Sequence, residues 1–223
     1  MKCLGIAVLL VGCGGGSSSG PIPIDNLGTE LAQASCSQMF ACCTSAEIMQ
    51  QFMNITYDGQ PITTEAQCEG FAGGLFAGLI TPEYKASIAA GRIKYDGQAA
   101  RDCLDAFVNL GCSAYAQLSG AESVACDKPF VTPEVGDGGA CSQSYECTSD
   151  YCEGARSGTD GTCKPKPTAG ETCSGTCAQG LYCAGTCQPL LANGAACTGD
   201  SQCTSNHCGS GVCADRAPVC DGM

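Results

Sequence analysis

Cysteine sets the terms for this chain: 22 of its 223 residues are cysteine, and 13 of those fall between Cys141 and Cys220. They recur in units. Cys141, Cys147, Cys152 and Cys163 have the spacing C-x5-C-x4-C-x10-C. Cys173, Cys177, Cys183 and Cys187 read C-x3-C-x5-C-x3-C, and Cys197, Cys203, Cys208 and Cys213 read C-x5-C-x4-C-x4-C, with Cys220 left over. Glycines keep the same phase. Gly138, Gly170 and Gly194 each stand three residues before the first cysteine of a unit, and Gly161, Gly185 and Gly211 two before the last. A ring residue, Tyr151, Tyr182 or His207, precedes each third cysteine. Several independent positions align, so the repeat is a strong signal.

So many thiols in a reducing cytosol would have to hold metal; in an oxidising compartment they read as a disulfide framework. The N-terminus favours export. Met1-Lys2 is a minimal positive segment, and residues 4–11 are a short apolar run, well below the roughly 20 residues a membrane-spanning helix needs. The run ends in Leu10-Val11-Gly12-Cys13, which resembles the bacterial lipobox. That resemblance implies lipidation of Cys13, cleavage before it, and loss of Cys3 with the signal. An ordinary secretory signal with an incidental cysteine is the alternative. Residues 14–20, GGGSSSG, suit a flexible tether. Gly14, where aspartate would signal inner-membrane retention, implies the outer membrane.

Composition changes near residue 127. Residues 29–126 hold 22 large apolar side chains, enough for a core; residues 141–220 hold five, namely Leu181, Leu190, Leu191, Val212 and Val219. Modules without a core depend on cross-links. The first region reads as four or five helices. From Asn26, Leu31, Met39, Phe40 and Cys43 follow helical spacing. Thr64-x-x-Gln67 is a capping box, opening a helix with Cys68, Phe71, Leu75 and Leu79 as its expected inner face. Thr81-Pro82-Glu83 starts another helix, which Gly91 can close. Arg92 to Tyr95 is an extended link. Asp96 caps a helix carrying Ala100, Cys103, Leu104, Phe107 and Val108, ended by Gly111.

The expected fold is therefore a small disulfide-rich protein: an N-terminal α-helical, disulfide-tied bundle, then three cysteine-rich repeats with little regular structure. Its parts are residues 1–12, lipoprotein signal peptide; 13–25, lipid anchor and tether; 26–126, helical domain; 127–140, linker; and 141–220, repeats. Twenty cysteines are expected in disulfides: the twelve of the units, Cys220, and Cys36, Cys42, Cys43, Cys68, Cys103, Cys112 and Cys126. Cys42 and Cys43 are about 100° apart on a helix and should find different partners. Both regions hold an odd number, so full oxidation requires a bridge across the boundary; Cys126 and Cys220 are the candidates.

The stretch Gly139-Ala140-Cys141, Glu146-Cys147 and Tyr151-Cys152 resembles the Dickkopf-type cysteine-rich repeat, in an arrangement similar to that of myxobacterial lipoproteins. Cys103-Leu104, Gly111-Cys112 and Cys126 resemble the helical region that accompanies such repeats. The resemblance implies architecture and no particular ligand. Within each unit, first-to-third and second-to-fourth pairing is expected.

Little in the sequence carries chemistry. A net charge of −12 without a basic cluster argues against nucleic acid. His207 is the single histidine and takes the slot of Tyr151 and Tyr182, so packing accounts for it. No G-x-S-x-G elbow or phosphate-binding loop is present. Zinc is the rival for the cysteines, because C-x3-C is within the range of structural sites. Asp137, Asp150, Asp160 and Asp200 lie in glycine-rich loops and read as solvated turn residues. No catalytic, cofactor or metal residue is assigned, and no enzyme is expected. The expectation is an acidic cell-envelope lipoprotein, membrane-attached through Cys13, acting as a surface binding module for an extracellular or envelope protein or glycan. The longest loop inside a unit, Glu153–Thr162, is the candidate contact. The alternative is a structural component whose repeats form a protease-resistant spacer.

Overall fold

The computed structural model describes residues 20–116, 128–155, 160–218 and 220. Its first part is helical: α1 (Leu27–Cys42), α2 (Ser45–Gln51), α3 (Glu65–Ala77), α4 (Pro82–Ala89), α5 (Gly97–Val108) and α6 (Cys112–Ala116). A two-residue pairing of β1 (Thr56–Tyr57) with β2 (Gln60–Pro61) separates α2 from α3. The helix starts follow local chemistry. In α3, Gln67 N–H donates to Thr64 Oγ1 at 3.3 Å and Thr64 N–H to Gln67 Oε1 at 3.1 Å. Thr81 Oγ1 accepts from Tyr84 N–H at 3.2 Å ahead of Pro82. Asp96 Oδ1 accepts from Gln98 and Ala99, both at 3.0 Å. A second capping box, Thr44 with Glu47, starts α2, a helix the sequence pattern did not single out.

Helix α1 is the hub. The Cys36–Cys68 bridge ties it to α3, and Cys42–Cys112 ties its end to α6. The main apolar cluster joins Ile22, Leu27 and Ala34 to Ala100 and Leu104 of α5. Gln38 is buried and donates to Leu110 O at 2.6 Å. Two expectations need correction. The face expected to be inner on α3 is only half so: Cys68 is buried, while Leu75 and Leu79 are 58% and 64% exposed. The contact with α1 passes through Gly73, whose added Cβ would lie 4.0 Å from Ala32, to Ala77 beside Gly28, and Leu75 lies about 200° round the helix from Gly73. Leu79 lies beyond the helix end, and Val108 is also exposed. Second, the tether does not extend to residue 25. Ile22 is 1% exposed, its N–H donates to Gly97 O at 2.9 Å, and its carbonyl accepts from Tyr95 OH at 2.8 Å.

The linker is also structured in part. Strand β4 (Val131–Pro133) pairs antiparallel with β3 (Ile93–Tyr95), matching Ile93 with Pro133 and Tyr95 with Val131. It leads into the repeats. The first unit forms a three-stranded sheet of β5 (Ala140–Cys141), β6 (Cys152–Glu153) and β7 (Gly161–Cys163), with β7 in the centre. The second has the hairpin of β8 (Leu181–Cys183) and β9 (Cys187–Pro189), and the third that of β10 (Cys208–Gly209) and β11 (Val212–Cys213), with single β-bridges Thr172–Thr186 and Ala196–Val212 where the first unit sets β5 against β7. The chain is thus a small disulfide-rich protein, helical first and then nearly without regular structure.

Each unit pairs its first cysteine with its third and its second with its fourth: Cys141–Cys152 and Cys147–Cys163, Cys173–Cys183 and Cys177–Cys187, Cys197–Cys208 and Cys203–Cys213. The backbone repeats too. Gly138, Gly170 and Gly194 all have φ near +85°, a region that favours glycine, and donate to the carbonyls of Cys163, Cys187 and Cys213. Cys43–Cys220 joins the C-terminal end of the repeats to the end of α1, across 177 positions of sequence. These bridges account for every described cysteine except Cys103, which is also disulfide-bonded, so its partner lies outside the described residues.

Candidate functional site

The Glu153–Thr162 loop is the connection between β6 and β7, and its two ends face each other, Glu153 opposite Thr162 and Cys152 opposite Cys163. Residues 156–159 of the loop lie outside the described residues. Its base is tightly fixed. Cys152 is bridged to Cys141, and Cys163 to Cys147. Gly161 sits where a Cβ would come within 2.4 Å of Glu153 O and 2.6 Å of Ala155 N, so only glycine lets the strands close. Lys164 pairs with Glu153 beside the base, and Ser142 Oγ donates to Asp160 Oδ1 at 2.8 Å.

The unit that carries this loop is docked on the helical region through a buried acid. Glu146 has no solvent exposure. Its Oε1 accepts from Arg92 Nε at 2.9 Å and from the Ser87 hydroxyl, and its Oε2 accepts from Ser142 N–H at 2.7 Å. Burial alone would raise the carboxyl pKa; the hydrogen bonds from Ser87 and Ser142 and the Arg92 charge outweigh it and hold the group below the usual glutamate range. Beside this contact the rings of Tyr84 and Tyr145 meet at 5.1 Å, and burial raises both phenols, which keeps them neutral. The backbone continues the seam: Glu134 N–H donates to Arg92 O, and Val135 N–H to Glu146 O at 3.0 Å.

In the sequence Glu146 stands only as part of the repeat, and Ser87 and Arg92 carry no marked role. One signal was there. In the third unit the residue before the second cysteine is Gln202, whose Oε1 accepts from Thr198 N–H at 2.7 Å, as Glu146 accepts from Ser142. In the first and third units the position holds an acceptor, and only the first makes it a charged one.

The other candidates serve the turns. Asp150, with φ +52°, pairs with Lys166 at 2.8 Å; Asp200 accepts from Cys208 N–H at 2.7 Å and lies 4.0 Å from His207. Asp137 is exposed. His207 O accepts from Ala214 N–H as Tyr151 O does from Lys164 N–H, which makes the slot shared by the two rings a backbone equivalence. Three sulfurs in each unit lie within 4.8 Å of one another: Cys141, Cys147 and Cys152; Cys173, Cys177 and Cys187; Cys197, Cys203 and Cys213. All belong to closed bridges, whereas zinc would need them as thiolates. Cys13 and Cys126 lie outside the described residues. Among the described residues no helix is long and apolar enough to cross a membrane. Compared with family models, curated proteins and solved structures, the chain matched none.

Proposed function

We propose that this chain is a non-enzymatic cell-envelope lipoprotein, anchored at Cys13 in the outer membrane, that presents the Glu153–Thr162 hairpin of its first Dickkopf-like repeat to an extracellular or envelope protein or glycan. The observation that carries this reading is the fixing of the hairpin base. Two bridges, the close approach at Gly161 and the buried Glu146 contact hold one loop on a rigid body, the setting in which loops recognise partners. The spacer reading is less well supported, because Cys43–Cys220 returns the end of the repeats to α1. An extended spacer has no use for that closure.

The test exchanges residues 155–160 for Gly/Ser, leaving Gly154 and Gly161 in place, and crosslinks the protein on intact cells. Loss of a specific adduct with unchanged folding supports recognition through the hairpin. An adduct pattern identical to wild type transfers the weight to the structural reading. Mass spectrometry of the mature N-terminus tests the anchor: an acylated Cys13 is expected, and a mature start elsewhere without acyl chains removes it.

A further inference from the structure

The second repeat differs from its neighbours in ways that bear on one bridge. In the first and third units, Val135 and Leu191 cover the cysteines, and each ties its N–H to the residue before the second cysteine, Glu146 O at 3.0 Å and Gln202 O at 2.7 Å. The matching residue of the second unit is Pro167. Its carbonyl accepts from Ala178 N–H at 2.8 Å, as Val135 O does from Thr148, but proline has no N–H to give the return bond. At this joint the second unit has one backbone hydrogen bond fewer, although its hairpin is one registered pair longer than those of its neighbours. Its first gap is also shorter, with only Ser174, Gly175 and Thr176 between Cys173 and Cys177.

The unit also differs in exposure. Among the described residues, Cys173–Cys183 is the one bridge in which neither cysteine is buried. The other eight have at least one buried partner, and Cys103, whose bridge leaves the described residues, is buried as well. The two sulfurs are also unlike each other. Gly175 N–H donates to Cys183 Sγ at 3.3 Å, from a backbone at φ +108°. A donor aimed at sulfur favours its charged form, and a thiolate so favoured leaves more readily.

We propose that Cys173–Cys183 is a directed thiol–disulfide exchange site, which captures a low-molecular-weight thiol on Cys173. The attacking thiolate forms a bond to Cys173 Sγ while the Cys173–Cys183 bond breaks. The electron pair stays on Cys183 Sγ, under the Gly175 N–H. One disulfide is consumed and one is formed, so no oxidant or reductant is needed beyond the thiol itself. The reverse attack, by Cys183 on Cys173, expels the thiol and restores the bridge. Of the other eight, five have both cysteines buried and wait for local opening before they can react, while Cys42–Cys112, Cys177–Cys187 and Cys197–Cys208 offer one accessible sulfur but would leave the charge on a buried one.

The test uses reduced glutathione on the folded, fully oxidised chain, with samples alkylated over time and the bridges mapped by peptide mass spectrometry. The expected first product carries glutathione on Cys173 and the alkyl group on Cys183, forming about tenfold or more faster than adducts at bridges that need local opening. An earlier adduct at any other bridge overturns the site. Glutathione shared equally between Cys173 and Cys183 overturns the direction. In the double variant Cys173→Ala with Cys183→Ala the early adduct should vanish while the remaining bridges stay closed; an early adduct at the wild-type rate refutes the assignment.

Discussion

Arg92 Nε and Glu146 Oε1 meet at 2.9 Å, across 54 positions of sequence, and the Glu146 side chain is fully buried. This pair joins two regions of opposite character, one with an apolar core and one held by sulfur. Removing one partner of a buried ion pair typically costs about 3–5 kcal/mol, because the other is left uncompensated. Arg92 keeps a third of its side chain in solvent, so the low end of that range applies. Glu146→Ala should lower unfolding free energy by about 3 kcal/mol. Glu146→Gln should cost clearly less, since Gln202 fills the same position in the third unit. Urea unfolding without reductant measures both; equal losses would remove the role given to the acceptor.

Acid should act on the same carboxylate. Its pKa is lower in the folded chain than in the unfolded one, so the unfolded state takes up the proton first. The stabilisation is complete well above the ordinary glutamate value of 4.5 and declines as pH falls through the folded value. Wild type should therefore exceed Glu146→Gln in stability at pH 7, and the gap should narrow at pH 3. A gap that stays constant between those pH values would show that another carboxylate carries the acid response.

The Cys43–Cys220 bridge predicts an outcome for proteolysis. A single cut between Pro129 and Gly136 should leave the two fragments joined until thiol is added. With Cys43→Ser and Cys220→Ser together, the same cut should release them on a non-reducing gel. Loss of a closure this long should lower stability by about 2–5 kcal/mol.

Two apolar positions should respond in the opposite order to their apparent places in the sequence. Ile22, next to a glycine-serine tether, is fully buried against Leu27 and Ala100, so Ile22→Ala should cost about 2–5 kcal/mol. Leu75, on the expected apolar stripe of α3, is exposed, so Leu75→Ala should stay within about 0.5 kcal/mol of wild type. Thermal unfolding of both variants settles the ranking.

Those two residues show what a sequence of this kind makes legible. Helix starts were readable at Thr64, Thr81 and Asp96 because a cap is a contact over two or three residues. The repeat was readable because the spacing of cysteines, glycines and rings is imposed by turns that close within one unit. Which side of α3 faces inward depends on where α1 runs. Cys68, on the same stripe as Leu75, is bridged to Cys36. Further along the helix the approach passes to Gly73 and to Ala77 beside Gly28, so that it is set by α1 residues remote in sequence, and Leu75 is left outside. Glu146 was opaque for the same reason. Its acceptor role is local and repeats as Gln202, but the residues that make a charge tolerable there, Ser87 and Arg92, belong to another region.

The closure at Cys43 has a mechanical consequence. If the hairpin is pulled while the N-terminal side of α1 is held, the load leaves Glu153 and Thr162 in opposite chain directions. One arm runs back through the first repeat and the helical region to Cys43. The other runs on through the second and third repeats to Cys220, and through its sulfur to the same Cys43. Tension is shared between two covalent arms that end on one residue. The docking contact at Arg92 can give way under force while the reach of the hairpin remains capped by bonded chain, and it can re-form once the pull is released.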